Sequence, residues 1–164
     1  MVCKTPDIPQ WDQQEASRGL ELLCPLGEPS NVGALVRTCQ AFGVRKVVLL
    51  KEAASPFHPK ATRAASGAVL SVQFVQGPSV EELTADTVSA SLVALDVSGK
   101  DMSVFQWPKN VRILIGEEGQ GLSGHDFHDT VSIPMAANMH SLNAVVAASI
   151  AMYAYRLRFP LRKG

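Results

Sequence analysis

Long apolar runs are missing from this chain. Nothing approaches the roughly 18 uninterrupted apolar residues that a membrane-spanning helix needs, and residues 1–6, Met-Val-Cys-Lys-Thr-Pro, lack the apolar core of a secretory leader. Both absences lead us to expect a soluble, cytoplasmic protein. Cysteine is scarce and odd in number: Cys3, Cys24 and Cys39 show no CxxC spacing, which argues against a disulfide framework and against a zinc site. His58, His125, His128 and His140 show no metal-ligand spacing on a recognisable helix, so no metal is expected. An excess of either charge is also lacking, with 15 Lys and Arg against 15 Asp and Glu. The strongly basic balance common among nucleic-acid binders is therefore absent.

What is present is a well-packed composition, 46% hydrophobic and 18% charged over 164 residues, which suits one domain and argues against disorder. The charge is unevenly spread. Residues 31–63 carry Arg37, Arg45, Lys46, Lys51, Lys60 and Arg63 against Glu52 alone, and residues 156–164 add Arg156, Arg158, Arg162 and Lys163 with no acid. Acids gather at 81–101 and 113–130. Segregation of this degree is common on solvated surfaces and does not by itself assign a partner.

Residues 1–18 are polar, contain Pro6 and Pro9, and read as a lead-in segment with little claim to the core; the domain proper is expected over 19–164. Apolar runs of strand length occur near 19–26, 47–50, 69–75, 91–95, 111–115 and 131–133, with helical signals between several of them. The helical stretches are 31–42, closed by Gly43, then 79–90, opened by the capping box Ser79-Val-Glu-Glu82, and 141–157. Continuous apolar strands alternating with helices predict an α/β fold with a parallel sheet flanked by helices on both faces. The last helix is apolar nearly all round and so needs a second cover, which a partner subunit supplies most simply.

Three segments carry the chemistry: Asn31-Val-Gly33-Ala-Leu-Val-Arg37, Ile115-Gly-Glu-Glu-Gly-Gln-Gly121, and Ile133-Pro-Met135 followed by Ser141-Leu-Asn143. In the first, Asn31 is suited to cap the helix, Gly33 allows another backbone to approach, and the strand-to-helix edge of a parallel sheet is where ligands collect. The second is glycine-rich but holds Glu117 and Glu118, which oppose a phosphate; its spacing fits neither GxGxxG nor GxxxxGK[ST]. NAD and ATP are poor candidates for such a loop, and a cofactor without phosphate suits it better. Read singly, each segment is also compatible with a helix cap, a tight turn or a solvated charge.

In this order the three segments resemble the motifs of the SpoU/TrmH branch of the SPOUT superfamily, over roughly residues 20–155. Ala41-Phe-Gly-Val44 and Pro59-Lys-Ala-Thr-Arg63-Ala-Ala-Ser-Gly67-Ala extend the likeness, while Glu117 departs from it, since the family more often has Asn, Ser or Ala there. The resemblance implies transfer of a methyl group from S-adenosylmethionine (SAM) to a ribose 2′-hydroxyl of tRNA or rRNA, a C-terminal deep trefoil knot and a homodimer. It implies SAM contacts at Leu95, Gly116, Ile133, Met135, Ser141 and Leu142, and reacting-centre roles for Arg37, Asn31, Glu118, Ser141 and Asn143. A guanidinium has a pKa above about 12, so positioning a phosphate and stabilising a developing alkoxide suit Arg37 better than acting as base. The alternative is a non-catalytic SAM- and RNA-binding module; methylation of a small molecule or a protein ranks last.

Overall fold

The computed structural model describes residues 4–84, 88, 92–116, 122, 127 and 129–161. Six strands build one sheet: β1 (Leu20–Cys24), β2 (Lys46–Leu49), β3 (Gln73–Gln76), β4 (Leu92–Asp101), β5 (Val111–Leu114) and β6 (Asp129–Ser132). Their order is β3-β2-β1-β5-β4-β6, and every pairing is parallel. The chain therefore lays β1, β2 and β3 outward, starts β4 on the far side of a gap, fills that gap with β5 and ends at the edge with β6. All residues of β1, β2 and β5 are buried, which is why these strands read as largely apolar runs, each with one buried charge, Glu21, Lys46 or Arg112.

Among the described residues three α-helices accompany the sheet: α1 (Pro29–Ala41), α2 (Pro59–Ala65) and α3 (Ala144–Arg158). One core joins α1 and α3 to Leu20, Leu22, Val47, Val111 and Ile113; a second, on the opposite face, gathers Leu23, Val48, Leu50, Val75, Ala94 and Leu114. The alternation Leu22/Leu23 and Ile113/Leu114 between the two cores is the two-residue period of a strand. The α/β class and the parallel sheet expected from the sequence are thus present.

Several expected boundaries differ. Pro29 and Pro59 each open a helix, where the missing N–H costs nothing; α2 was not anticipated. Glu28, not Asn31, caps α1, its Oε1 accepting from Ser30 N at 3.5 Å and also from Ser30 Oγ at 2.9 Å. The capping box at Ser79 is real, but the helix expected over 79–90 is a single 3₁₀ turn, Val80–Glu82, that closes at Leu83; residues 85–87 and 89–90 lie outside the described residues. The run 69–75 divides into a 3₁₀ turn, Ala68–Leu70, and β3.

The polar lead contributes to the core after all. Gln10 bridges to Gln76 beside β3, and Trp11 is 8% exposed within the second core. Its ring lies under the Arg112 guanidinium, 5.2 Å from the centroid. Arg112 is fully buried; its Nε donates to Glu21 Oε2 at 2.9 Å, and it donates to the Glu15 carbonyl oxygen. Lys46 completes the group, 2.6 Å from Glu15 and 3.9 Å from Glu21. A charge cluster inside an α/β core persists only when every member is paired, and residues 11–15 supply two of the partners.

Candidate functional site

Parallel strands share one carboxyl edge, and the register fixes which residues meet there. Ala94 of β4 lies beside Leu114 of β5, and Leu95 lies beside Val131 of β6. Strands sit about 4.8 Å apart, so the row through Leu95 holds Ile115 and Val131, with Gly116 one residue and Ile133 two residues further along the chain beyond that row. Leu95 is buried, while Gly116 and Ile133 are half-buried. Three of the expected cofactor positions, far apart in sequence, are thus brought together. Met135, half-buried, and Ser141 and Leu142, exposed, follow in the connection from β6 to α3.

The same edge receives the helix starts. α1 follows β1 directly, and α3 runs alongside it: Arg156 near the end of α3 donates from Nε to Phe42 O (2.7 Å) and from Nη2 to Gly43 O (2.9 Å) just past the end of α1. Tyr155 Oη donates to Lys109 O at 2.6 Å, next to the amino end of β5. With their carboxyl ends tied to the amino edge of the sheet, both helices point their amino ends at the candidate site. Asn143 caps α3, its Oδ1 accepting from Val145 N at 2.9 Å and Val146 N at 3.3 Å. Its amide nitrogen is chemically able to donate elsewhere.

Of the first segment, Asn31 lies in the opening turn of α1, half-buried and engaged in interactions of its own. Gly33 explains itself sterically: a Cβ there would stand 2.2 Å from the Ala61 carbonyl oxygen and 2.8 Å from Ala64 Cβ, so α1 and α2 pack backbone to backbone. Arg37 is exposed, one turn beyond Gly33 and about 9 Å along the axis from Asn31. Glu118 lies outside the described residues.

Sequence reasoning missed the segment between Leu95 and Lys100. Both residues pair with Val131, so Asp96, Val97, Ser98 and Gly99 bulge out of the ladder. A Cβ on Gly99 would come within 2.6 Å of the Thr130 and Val131 backbone, and Ser132 Oγ donates to Gly99 O at 2.9 Å. Asp96 Oδ1 accepts from Ser98 N at 2.9 Å and from Ser98 Oγ at 2.6 Å. Burial pushes this carboxyl up, but the hydrogen bonds from Ser98 outweigh it and hold the pKa below the usual aspartate value. Gly99 was the available signal, as a glycine within a strand marks a bulge or a close approach.

A polar cavity of about 320 Å³ opens elsewhere, at the amino edge, lined by Trp11, Glu15, Arg18, Arg45 and Lys46 among others. Its Lys46 and Glu15 are engaged with each other, and it lies at the end of the strands away from the motif segments. Among the described residues no group of three His, Cys, Asp or Glu is placed to hold a metal ion, and no helix is long and apolar enough to cross a membrane.

Comparison with known proteins covers most of this fold. The chain is 38% identical over 156 residues to ribosomal RNA small subunit methyltransferase G 2 of Syntrophobacter fumaroxidans, covering 94% of this chain and 31% of that protein. It is 34% identical over 138 residues to the 23S rRNA (uridine(2479)-2′-O)-methyltransferase of Streptomyces viridochromogenes, covering 76% and 47%. The chain therefore spans less than half the length of each of these relatives. Among solved structures, the SpoU methyltransferase AviRb of S. viridochromogenes in complex with AdoMet superposes with a TM-score of 0.74 at 31% identity, over 88% of this chain and 62% of that one. Residues 22–153 match the SpoU rRNA Methylase family. On the strength of that span, the chain belongs to the SpoU rRNA methylase family.

Proposed function

We propose that this protein transfers a methyl group from SAM to a ribose 2′-hydroxyl of rRNA or tRNA. The observation that carries the reading is the convergence of Leu95 of β4 with Gly116 and Ile133, which follow the ends of the neighbouring strands β5 and β6, at one edge of the sheet. The residues there suit SAM: the row combines apolar side chains with backbone groups, and Lys100, the cation on β4, is 3.8 Å from Asp129. Such an edge accommodates an adenosine and a methionine chain better than a polyphosphate. Leu95, Gly116, Ile133, Met135, Ser141 and Leu142 would hold the cofactor.

When bound, SAM supplies an electrophilic methyl on a sulfonium. What remains for the chain is to place a ribose hydroxyl in line and favour loss of its proton. Arg37 would hold a neighbouring phosphate and stabilise the developing alkoxide; Asn31, Glu118, Ser141 and Asn143 would orient the groups around it. Two finer features belong to the same reading. Insertion of β5 between β1 and β4, with Gly99 pressed on the β6 backbone, supports a C-terminal deep trefoil knot. The exposed row Val146, Ile150, Tyr153 and Leu157 on α3 supports a homodimer, with a second copy completing the RNA site. A cytoplasmic location follows from an RNA substrate.

Tritium transfer from methyl-labelled SAM into total RNA tests the proposal. Wild type should label ribose, and Arg37→Ala should lose about 100-fold or more of the rate, the scale of a removed transition-state contact, with SAM binding retained. Full transfer by Arg37→Ala would overturn its role. SAM binding without any labelling by wild type would favour the non-catalytic module.

A further inference from the structure

We infer that the amino edge of the sheet, opposite the candidate cofactor edge, is a second docking surface for the RNA, on which Arg18, Arg45 and Lys109 take backbone phosphates. The inference rests on the RNA-methylation reading given above and goes beyond it by placing part of the RNA on residues outside all three motif segments.

Backbone hydrogen bonds lock the three cations side by side. Arg45 N donates to Leu20 O at 2.9 Å, Gly19 N to Asn110 Oδ1 at 2.8 Å, and Val111 N to Gly19 O at 2.8 Å. Arg45, Arg18 and Lys109 thus stand just before the adjacent strands β2, β1 and β5. All three are exposed, and among the described residues none has an ion-pair partner. The Arg45 stem lies along the chain at Gly19, where an added Cβ would stand 3.6 Å from its Cδ. Arg18 and Arg45 both line the cavity of about 320 Å³ at this edge, so one phosphate can be met by two guanidinium groups. The charges beneath are already spent, Lys46 on Glu15 and Arg112 on Glu21. Asp12 is the unpaired carboxylate in the lining, and its Oδ1 accepts from Gln14 N at 3.0 Å.

The opposite edge has the other sign. Glu28, Glu52, Glu81 and Asp96, none in an ion pair among the described residues, follow β1, β2, β3 and Leu95. Such an edge suits a positively charged sulfonium better than a run of phosphates. Because β1 is five residues long, about 17 Å separates the two edges, a length that RNA-recognition surfaces commonly exceed. Exposed Arg37 lies between them on α1, which ends at Ala41, four residues before Arg45. The unpaired cations therefore lead from the amino edge toward the site of transfer.

Filter binding of protein-free ribosomal RNA to the full chain tests the surface. The double variant Arg18→Gln, Arg45→Gln should bind about tenfold more weakly near 0.1 M salt, and its slope of log affinity against log salt should be shallower by about 1.5, the loss of two phosphate contacts. SAM affinity and kcat at saturating RNA should stay within about threefold while the KM for RNA rises, because neither side chain reaches a reacting atom. Lys4→Gln, Lys51→Gln removes the same charge from exposed positions elsewhere and should leave the slope unchanged. If the double variant fails to fold, Arg18→Gln and Arg45→Gln singly should each give about half the change in slope. An unchanged slope in the Arg variants, or an equal fall in the Lys control, would overturn the docking surface and leave methyl transfer standing. Discrimination between wild type and the double variant by whole ribosomal subunits but not by protein-free RNA would assign the edge to a protein partner and overturn the inference. RNA binding that depends on Arg18 and Arg45, in a wild-type chain that labels no ribose, would support the surface and overturn the proposed function.

Discussion

Gly33 shows how one hydrogen atom governs the placement of a helix. In an exposed helix, alanine in place of glycine stabilises by about 1 kcal/mol. Here the sign should reverse, because the added Cβ meets the Ala61 carbonyl oxygen at 2.2 Å and neither helix backbone can yield cheaply. Gly33→Ala should lower stability by about 1–3 kcal/mol, the range for overpacking, readable as a fall in the urea midpoint; an unchanged or raised midpoint would show that α2 gives way. The sequence already marked Gly33 as a point of close approach, since glycine at that place in a helix has few other uses. It could not mark the full bulge 96–99, because its meaning comes from Thr130, Val131 and Ser132, more than 30 positions later and brought near only by the sheet. Asn31 was misread as a cap for a related reason: Glu28 and Pro29 fulfil the start of α1 three residues earlier than a cap at Asn31 would.

At the scale of elements, α3 is the one most exposed to test. Its inner face buries Ala148, Ala151, Met152 and Tyr155, while Val146, Ile150, Tyr153 and Leu157, spaced 4, 3 and 4 residues, remain 37–67% exposed. That spacing draws a stripe along one side of the helix. If the stripe seats a second copy, the double variant Ile150→Glu, Leu157→Glu should sediment as a monomer with its fold intact by circular dichroism. A wild-type chain that is already monomeric at working concentration would remove the dimer. The sequence gives the apolar character of α3 plainly, but not which side meets the sheet; that is decided by Arg156 and Tyr155, whose hydrogen bonds to Phe42, Gly43 and Lys109 fix the rotation of the helix. Strands β1, β2 and β5 were legible because burial on both faces leaves mostly apolar residues acceptable, the exceptions being the mutually paired Glu21, Lys46 and Arg112. The edge elements were less so, as the run at 69–75 shows: Leu70 is 87% exposed despite its type.

Across the whole molecule, acid should be the condition that loosens the fold. Hydrogen bonding and attraction from Lys46 hold the Glu15 carboxyl below its ordinary value of 4.5, and the hydrogen bonds to Asp96 overcome burial to hold it below 3.8. Groups whose folded pKa is depressed contribute stability that is fully present above the unfolded pKa and is lost as pH falls through the lower folded one. Thermal midpoints should therefore be flat from pH 7 to about 5 and decline below about 4.5, and Glu15→Gln should make that decline shallower while lowering the neutral plateau; an identical slope in the variant would show that Glu15 does not contribute.

The sheet order has a consequence for how the chain acquires its shape. β5 is made after β4 yet lies between β4 and β1, so until residues 111–114 arrive, two inner edges stand unpaired, each with a full row of open N–H and C=O groups. The contacts that close them join β1 to β5 across some 91 positions, as from Glu21 to Arg112. Closure over such separations is slow, and the Glu21–Arg112 ion pair, which is tolerable only when complete, forms in the same event. Refolding from urea should accordingly be limited by the entry of one short strand, and the interval before that entry is when this protein is most exposed to pairing with its neighbours.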